Sequence, residues 1–138
     1  MTDTMKWSSV EVELENREDG SRIIRNKVPL ASCPDNLCTW LHRNADEIPE
    51  KPFLLERNPE GQWQGLSYAE VREQVNRISN NLVGRGFEPE RPLAVLSENC
   101  VKMALFQMAC MQVGFAVTPI SYAYSAISKT GSHIKHIL

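Results

Sequence analysis

The sequence predicts an α/β fold: two β-hairpins, then a βαβ unit of an incomplete, mainly parallel sheet with flanking helices. Three observations carry that prediction. Val10, Val12 and Leu14 alternate with Glu11, Glu13 and Glu15, the period of a strand with one wet face. Two short apolar runs, residues 93–96 and 115–120, are joined by a helical run that is apolar on most of its circumference. Between the hairpins and that unit lies Ser67-Tyr68-Ala69-Glu70, a capping box that starts a helix.

The elements follow in order. Residues 10–15 form the first strand, "NREDGS" turns the chain with Gly20 free to take a positive φ, and Ile23 and Ile24 lie on the return strand. This charged hairpin carries few apolar residues, so it needs something to lean on. Residues 1–29 are read as an N-terminal extension and residues 30–138 as the main domain. "VPLASCPDN" connects them to a short amphipathic helix with Leu37, Trp40, Leu41 and Ala45 at helical spacing, capped by Asp35 or Asn36 and stopped by Pro49. Asn58-Pro59-Glu60-Gly61 is turn chemistry between two short strand-like runs, a second hairpin.

A helix then starts at Tyr68. Its stripe is Val71, Val75, Ile78 and Leu82, and Gly84 or Gly86 supplies the left-handed residue that ends it. Residues 93–96 form a buried strand, 100–113 a buried helix ended by Gly114, and 115–120 a second strand, which makes a right-handed parallel unit. The close, "PISYAYSAISKTGSHIKHIL", predicts an amphipathic helix over 126–138. Two parallel strands do not complete a sheet of that kind, which is normally covered on both faces. Apolar faces of the helices at 68–83 and 126–138, together with an open sheet edge, are expected to meet further chain, and the chain alone is expected to be poorly soluble or partly molten.

At 138 residues with a net charge of −2 and interspersed acids and bases, the chain has no basic face for nucleic acid. No run reaches the ~18 apolar residues of a membrane span, and residues 1–15 lack the pattern of a secretory signal, which places the protein in the cytoplasm. Cys33, Cys38, Cys100 and Cys110 are read as free thiols of a reducing compartment.

Each chemical candidate has a plainer structural reading beside it. Gly84-Arg85-Gly86 looks like the start of a dinucleotide fingerprint, but position 89 is Pro and the glycines follow a helix, so they read as a cap. His133 and His136 are spaced to share a metal without further ligands in a motif, and Cys33 and Cys38 are too widely spaced for a zinc pair. Ser97 and Ser121 follow the parallel strands, where open α/β sheets place ligand groups, and are also ordinary strand-end residues. Glu98 alone does not make the carboxylate cluster of a metal-dependent site. No phosphate loop, nucleophile elbow or acid–base pair is present, so no catalytic, cofactor-binding or metal-binding residue is assigned.

The succession from Ile48 to Ser125, with "LSYAE" opening a helix, "GRGFEPERPLAVLSEN" leading into a strand and then "QVGFAVTPIS", resembles the start of the large N-terminal domain of adenylate-forming acyl- and aryl-CoA ligases, the AMP-binding superfamily. The resemblance covers residues 30 to 138. Within that superfamily, the charged hairpin at residues 10–25, the connector at 28–35 and the close are similar to feruloyl-CoA synthases, which tend to have proline where this chain has Tyr122. The resemblance implies a two-step reaction assisted by magnesium: a carboxylate attacks ATP to give an acyl-adenylate and pyrophosphate, then CoA thiol displaces AMP. The parts that perform it in the family, the phosphate loop, adenine and ribose contacts and terminal lysine, have no counterpart here.

The chain is accordingly expected to be the beginning of a longer ligase, inactive by itself, whose partner is the remainder of the domain. A second reading is a non-catalytic module or remnant that pairs with another chain. A third, an independent small α/β enzyme, has no acid, base, nucleophile or metal cluster to support it.

Overall fold

The charge alternation near the N-terminus produces a hairpin in which β1 (Val12–Asn16) pairs antiparallel with β2 (Arg22–Asn26), Leu14 opposite Ile24. This computed structural model describes residues 11–88, 90–127 and 130–137, and the chain divides into two units between Cys33 and Pro34. Val10, Pro89 and Leu138, which the sequence reading used, lie outside the described residues. Gly20 takes φ +83° in the turn, and Arg25 pairs with Glu15 across the strands. The apolar face is not dry: Val12 and Leu14 stay about half exposed, because two strands alone give each side chain only cross-strand cover.

The second unit starts with α1 (Cys38–Glu47). Asn36 caps it from one residue further out than the position before the helix, its side-chain oxygen accepting from Cys38 N–H at 2.8 Å. The buried face is Cys38, Leu41 and Ala45, whereas Leu37 and Trp40 point outward, so the expected stripe is rotated by about one residue. β3 (Pro52–Arg57) and β4 (Trp63–Ser67) form the second hairpin around Asn58-Pro59-Glu60-Gly61, with Gly61 at φ +80°.

α2 (Tyr68–Gly84) begins with both halves of the capping box: Glu70 N–H donates to Ser67 Oγ at 3.4 Å, and Ser67 N–H donates to the Glu70 carboxylate at 2.8 Å. Those bonds, the backbone one first, hold the Glu70 carboxyl below its ordinary value. Gly86, at φ +66°, ends the helix, while Gly84 remains inside it. Val71, Val75 and Leu82 of the predicted stripe are buried and Ser79 joins them, while Ile78 is only partly buried. The helix packs against α1 and α3 (Val101–Val113), with Leu41, Leu105, Ala109, Cys110 and Phe115 completing the core.

β5 (Leu93–Ser97) and β6 (Val117–Ser121) pair in parallel on either side of α3 in sequence, Leu93 opposite Val117 and Ser97 opposite Ser121. Gly114 closes α3 at φ +82°. The helix expected over 126–138 is instead two short pieces, a π-helical turn at Ala123–Ile127 and α4 (Ser132–Ile137), with Gly131 at φ +60° before the second. The polar Thr130-Gly131-Ser132 stretch offers Ser132 N–H the Thr130 hydroxyl at 3.4 Å, local bonding that competes with a continuous helix.

Candidate functional site

The two parallel strand ends put Ser97 and Ser121 side by side, the position at which a sheet of this kind presents groups to a ligand. Their hydroxyls are engaged locally. Ser97 Oγ donates to the Glu98 carbonyl at 2.9 Å, and Ser121 Oγ accepts from Ala123 N–H at 3.3 Å. Cys100, the residue before α3, has its sulfur 3.9 Å from Ser97 Oγ. Glu98 brings no second carboxylate: among the described residues no group of three His, Cys, Asp or Glu side chains is placed to hold a metal ion. These residues do not fit the triphosphate of ATP or its magnesium, which require aligned free donors and clustered oxygens.

His133 and Cys38, two of the remaining sequence candidates, are in structural use. His133 stacks on Tyr124 with ring centroids 4.8 Å apart. Cys33 is exposed; Cys38 is buried, its thiol donating to the Met108 carbonyl at 3.2 Å. Burial raises the pKa of both the Cys38 and Cys110 thiols, which keeps them protonated and unreactive.

Two polar features escape a reading by periodicity. The first joins three helices. Gln112 on α3 donates through Nε2 to Asn76 Oδ1 at 2.9 Å and to Ser79 Oγ at 3.2 Å on α2, and its Oε1 lies 2.9 Å from His42 Nε2 on α1. Because the Gln112 amide nitrogen is spent on α2, its oxygen is the acceptor, so His42 is protonated at Nε2. Ser79 in turn donates to the Ala109 carbonyl at 3.2 Å. The second is Glu56 on β3, whose carboxylate accepts from Val101 N–H at 2.9 Å, the first turn of α3. A polar residue interrupting each apolar stripe was the available clue to the first; for the second, 45 residues separate donor and acceptor and no local pattern exists. Both features position helices, and neither presents a reacting atom.

With the strand ends, helices and their order in place, comparison with known proteins decides the family. The AMP-binding enzyme family matches residues 41–138. The chain belongs to that family. Among curated relatives, a dimodular nonribosomal peptide synthase of Bacillus subtilis (strain 168) is 27% identical over 103 residues, 75% of this chain and 4% of that protein. Among solved structures, the acetoacetyl-CoA synthetase of Streptomyces lividans superposes with a TM-score of 0.59 at 23% identity, covering 63% of this chain and 14% of that one. A fatty acid AMP ligase of Legionella pneumophila gives 0.58 at 17% identity, covering 64% and 15%. The α/β architecture is thus that of the N-terminal part of adenylate-forming ligases. The chain spans 1 to 4% of the length of the curated relatives it matches. No helix among the described residues is long and apolar enough to cross a membrane.

Proposed function

We propose that the chain is the N-terminal part of an ATP-dependent carboxylate–CoA ligase, contributing scaffold to a domain whose reacting groups lie elsewhere. The observation that carries this reading is the family match over residues 41–138, and the strand-end hydroxyls committed to local bonds agree with a scaffold role. In the full reaction a carboxylate oxygen attacks the α-phosphorus of ATP, releasing pyrophosphate, and CoA sulfur then attacks the acyl carbon, releasing AMP. The positive charge and backbone donors that such a transfer needs are not assembled by these residues. The isolated chain is therefore catalytically inactive in this reading. The acid is proposed to be an aromatic propenoate of the feruloyl or hydroxycinnamoyl class, supported by the resemblance of the hairpin, connector and close.

ATP–pyrophosphate exchange tests both levels. The longest natural chain containing these residues should exchange with hydroxycinnamic acids, and residues 1–138 alone should not. Exchange by the 138-residue chain refutes the scaffold role, and no exchange with any carboxylic acid by the longest chain refutes the ligase. A second reading is favoured by the peptide synthase among the relatives: the acid would be an amino acid. Exchange dependent on an amino acid, with no dependence on cinnamates, selects it.

A further inference from the structure

α1, the start of β3, the first residue of α2 and the end of α3 leave a cleft of about 260 Å³ between them. Its walls are aromatic and sulfur-bearing: Trp40 from α1, Met108 and Met111 from α3, and Phe53 and Tyr68, stacked on each other with ring centroids 4.3 Å apart and planes within 10°. Leu41 and Cys38 lie at its buried side. Trp40, Phe53 and Met111 remain 43%, 37% and 41% exposed, so the core does not consume their apolar area. No residue of β5 or β6 lines the cleft among the described residues, which sets it apart from the parallel strand ends.

The lining limits what fits. No charged side chain belongs to it among the described residues, so an ionised ligand would lose its hydration without gaining a counter-charge. One amide does belong to it: the half-buried Asn44, whose side chain bonds to none of the described residues although an amide carries two donors and an acceptor. The Cys38 thiol is spent on the Met108 carbonyl at 3.2 Å and burial keeps it protonated, so the cleft offers a place to bind and no nucleophile. Methionine side chains are flexible and polarisable, and their sulfurs pack well at the edge of a ring. Size adds a further limit. A dry apolar cavity of about 150 Å³ holds benzene, so 260 Å³ scales to about ten non-hydrogen atoms.

We propose that this cleft binds a neutral, flat aromatic molecule of about ten non-hydrogen atoms with one hydrogen-bonding group, a phenol or an aryl amide, its ring against Trp40, Phe53 and the two methionines and its polar group on the Asn44 amide. Neutrality separates this ligand from the proposed reaction, whose carboxylic acid, ATP and CoA are all anions at neutral pH. The site therefore stands or falls independently of the ligase reading. A ring seated there touches α1 and α3 together, so by mass action it stabilises the same helix junction that Gln112 joins to His42.

2-Naphthol, a neutral bicyclic phenol of the right size, is the probe. It is titrated into the 138-residue chain and into the longest natural chain containing it, with methionine methyl groups observed by NMR. The Met108 and Met111 signals should shift saturably with a dissociation constant of about 0.1–1 mM, ordinary for a ligand of that size, while Met103, outside the cleft, stays in place. Naphthalene should bind about fivefold more weakly for want of the amide bond, and 2-naphthoate about tenfold more weakly because its charge is unpaired. Trp40→Ala should weaken naphthol binding about tenfold. Asn44→Leu should erase the preference for naphthol over naphthalene and still bind naphthalene, which controls for loss of folding. The absence of a saturable shift, an equal shift at Met103, equal binding of the naphthoate, or unchanged binding in both variants overturns the proposal. So does binding by the 138-residue chain that the longest natural chain lacks, since further chain would then fill the cleft.

Discussion

Replacing Gln112 by Ala should loosen the three-helix core by a predictable amount. Its amide connects His42, Asn76 and Ser79, so truncation removes three hydrogen bonds: the buried Ser79 hydroxyl, 2% exposed, keeps only its bond to the Ala109 carbonyl, and two half-buried groups lose their partner. A neutral hydrogen bond contributes about 1 kcal/mol, and an unsatisfied buried group costs about 1–3 kcal/mol. Water can reach the half-buried partners, which puts the net loss at about 2–3 kcal/mol. Thiol labelling reads this without a global unfolding transition. Cys33 is exposed, whereas Cys38 and Cys110 are 4% and 0% exposed and their thiols are kept protonated by burial. In the parent chain Cys33 should react quickly with a disulfide reagent, and Cys38 and Cys110 only through opening of the core. Gln112→Ala should speed the two slow thiols about 30- to 150-fold, since each 1.4 kcal/mol is tenfold. A change below about threefold refutes the energetic role given to the network. Four equally fast thiols in the parent, the behaviour of the molten chain that the sequence suggested, refutes the packing itself.

Other substitutions probe single contacts. Glu56→Ala removes the carboxylate at the start of α3 and should cost about 1–2 kcal/mol in urea unfolding, with Glu56→Gln losing less because an acceptor remains. A Cβ on Gly65 would lie 2.0 Å from the Leu54 carbonyl oxygen, so Gly65→Ala should cost about 1–3 kcal/mol and disturb β3–β4 amide shifts; an unchanged spectrum contradicts the close approach. The Glu70 carboxyl is held below its ordinary value of 4.5, so the capping-box contribution is present above that value and lost as pH falls through the lower folded value. Acid titration by circular dichroism should show this loss in the parent and a smaller one in Ser67→Ala; identical profiles would separate the cap from the pH response.

Local chemistry in this chain was legible wherever the partners are close in sequence. The turn at Asn58–Gly61, the Ser67/Glu70 box, the Val71/Val75/Ile78/Leu82 stripe, of which Ser79 takes the buried place beside a partly buried Ile78, and the Gly114 stop depend on groups a few residues apart, so each could be read from spacing. The order of those elements also carried the family. The final twenty residues misled because apolar spacing suggested one helix, while Thr130 and Gly131 interrupt it with competing local bonds. Nothing local announces that Gln112 joins His42 to Asn76 and Ser79, or that Glu56 caps a helix 45 residues away. Those partners meet only when three helices and a hairpin pack together. Tertiary structure likewise decided that Val71, Val75 and Leu82 of α2 are buried inside the unit while Ile78 is only partly so, and that Pro119 points its missing donor away from β5. Spacing along the chain determines which faces exist; the direction of backbone groups across the ladder determines which of them remain open.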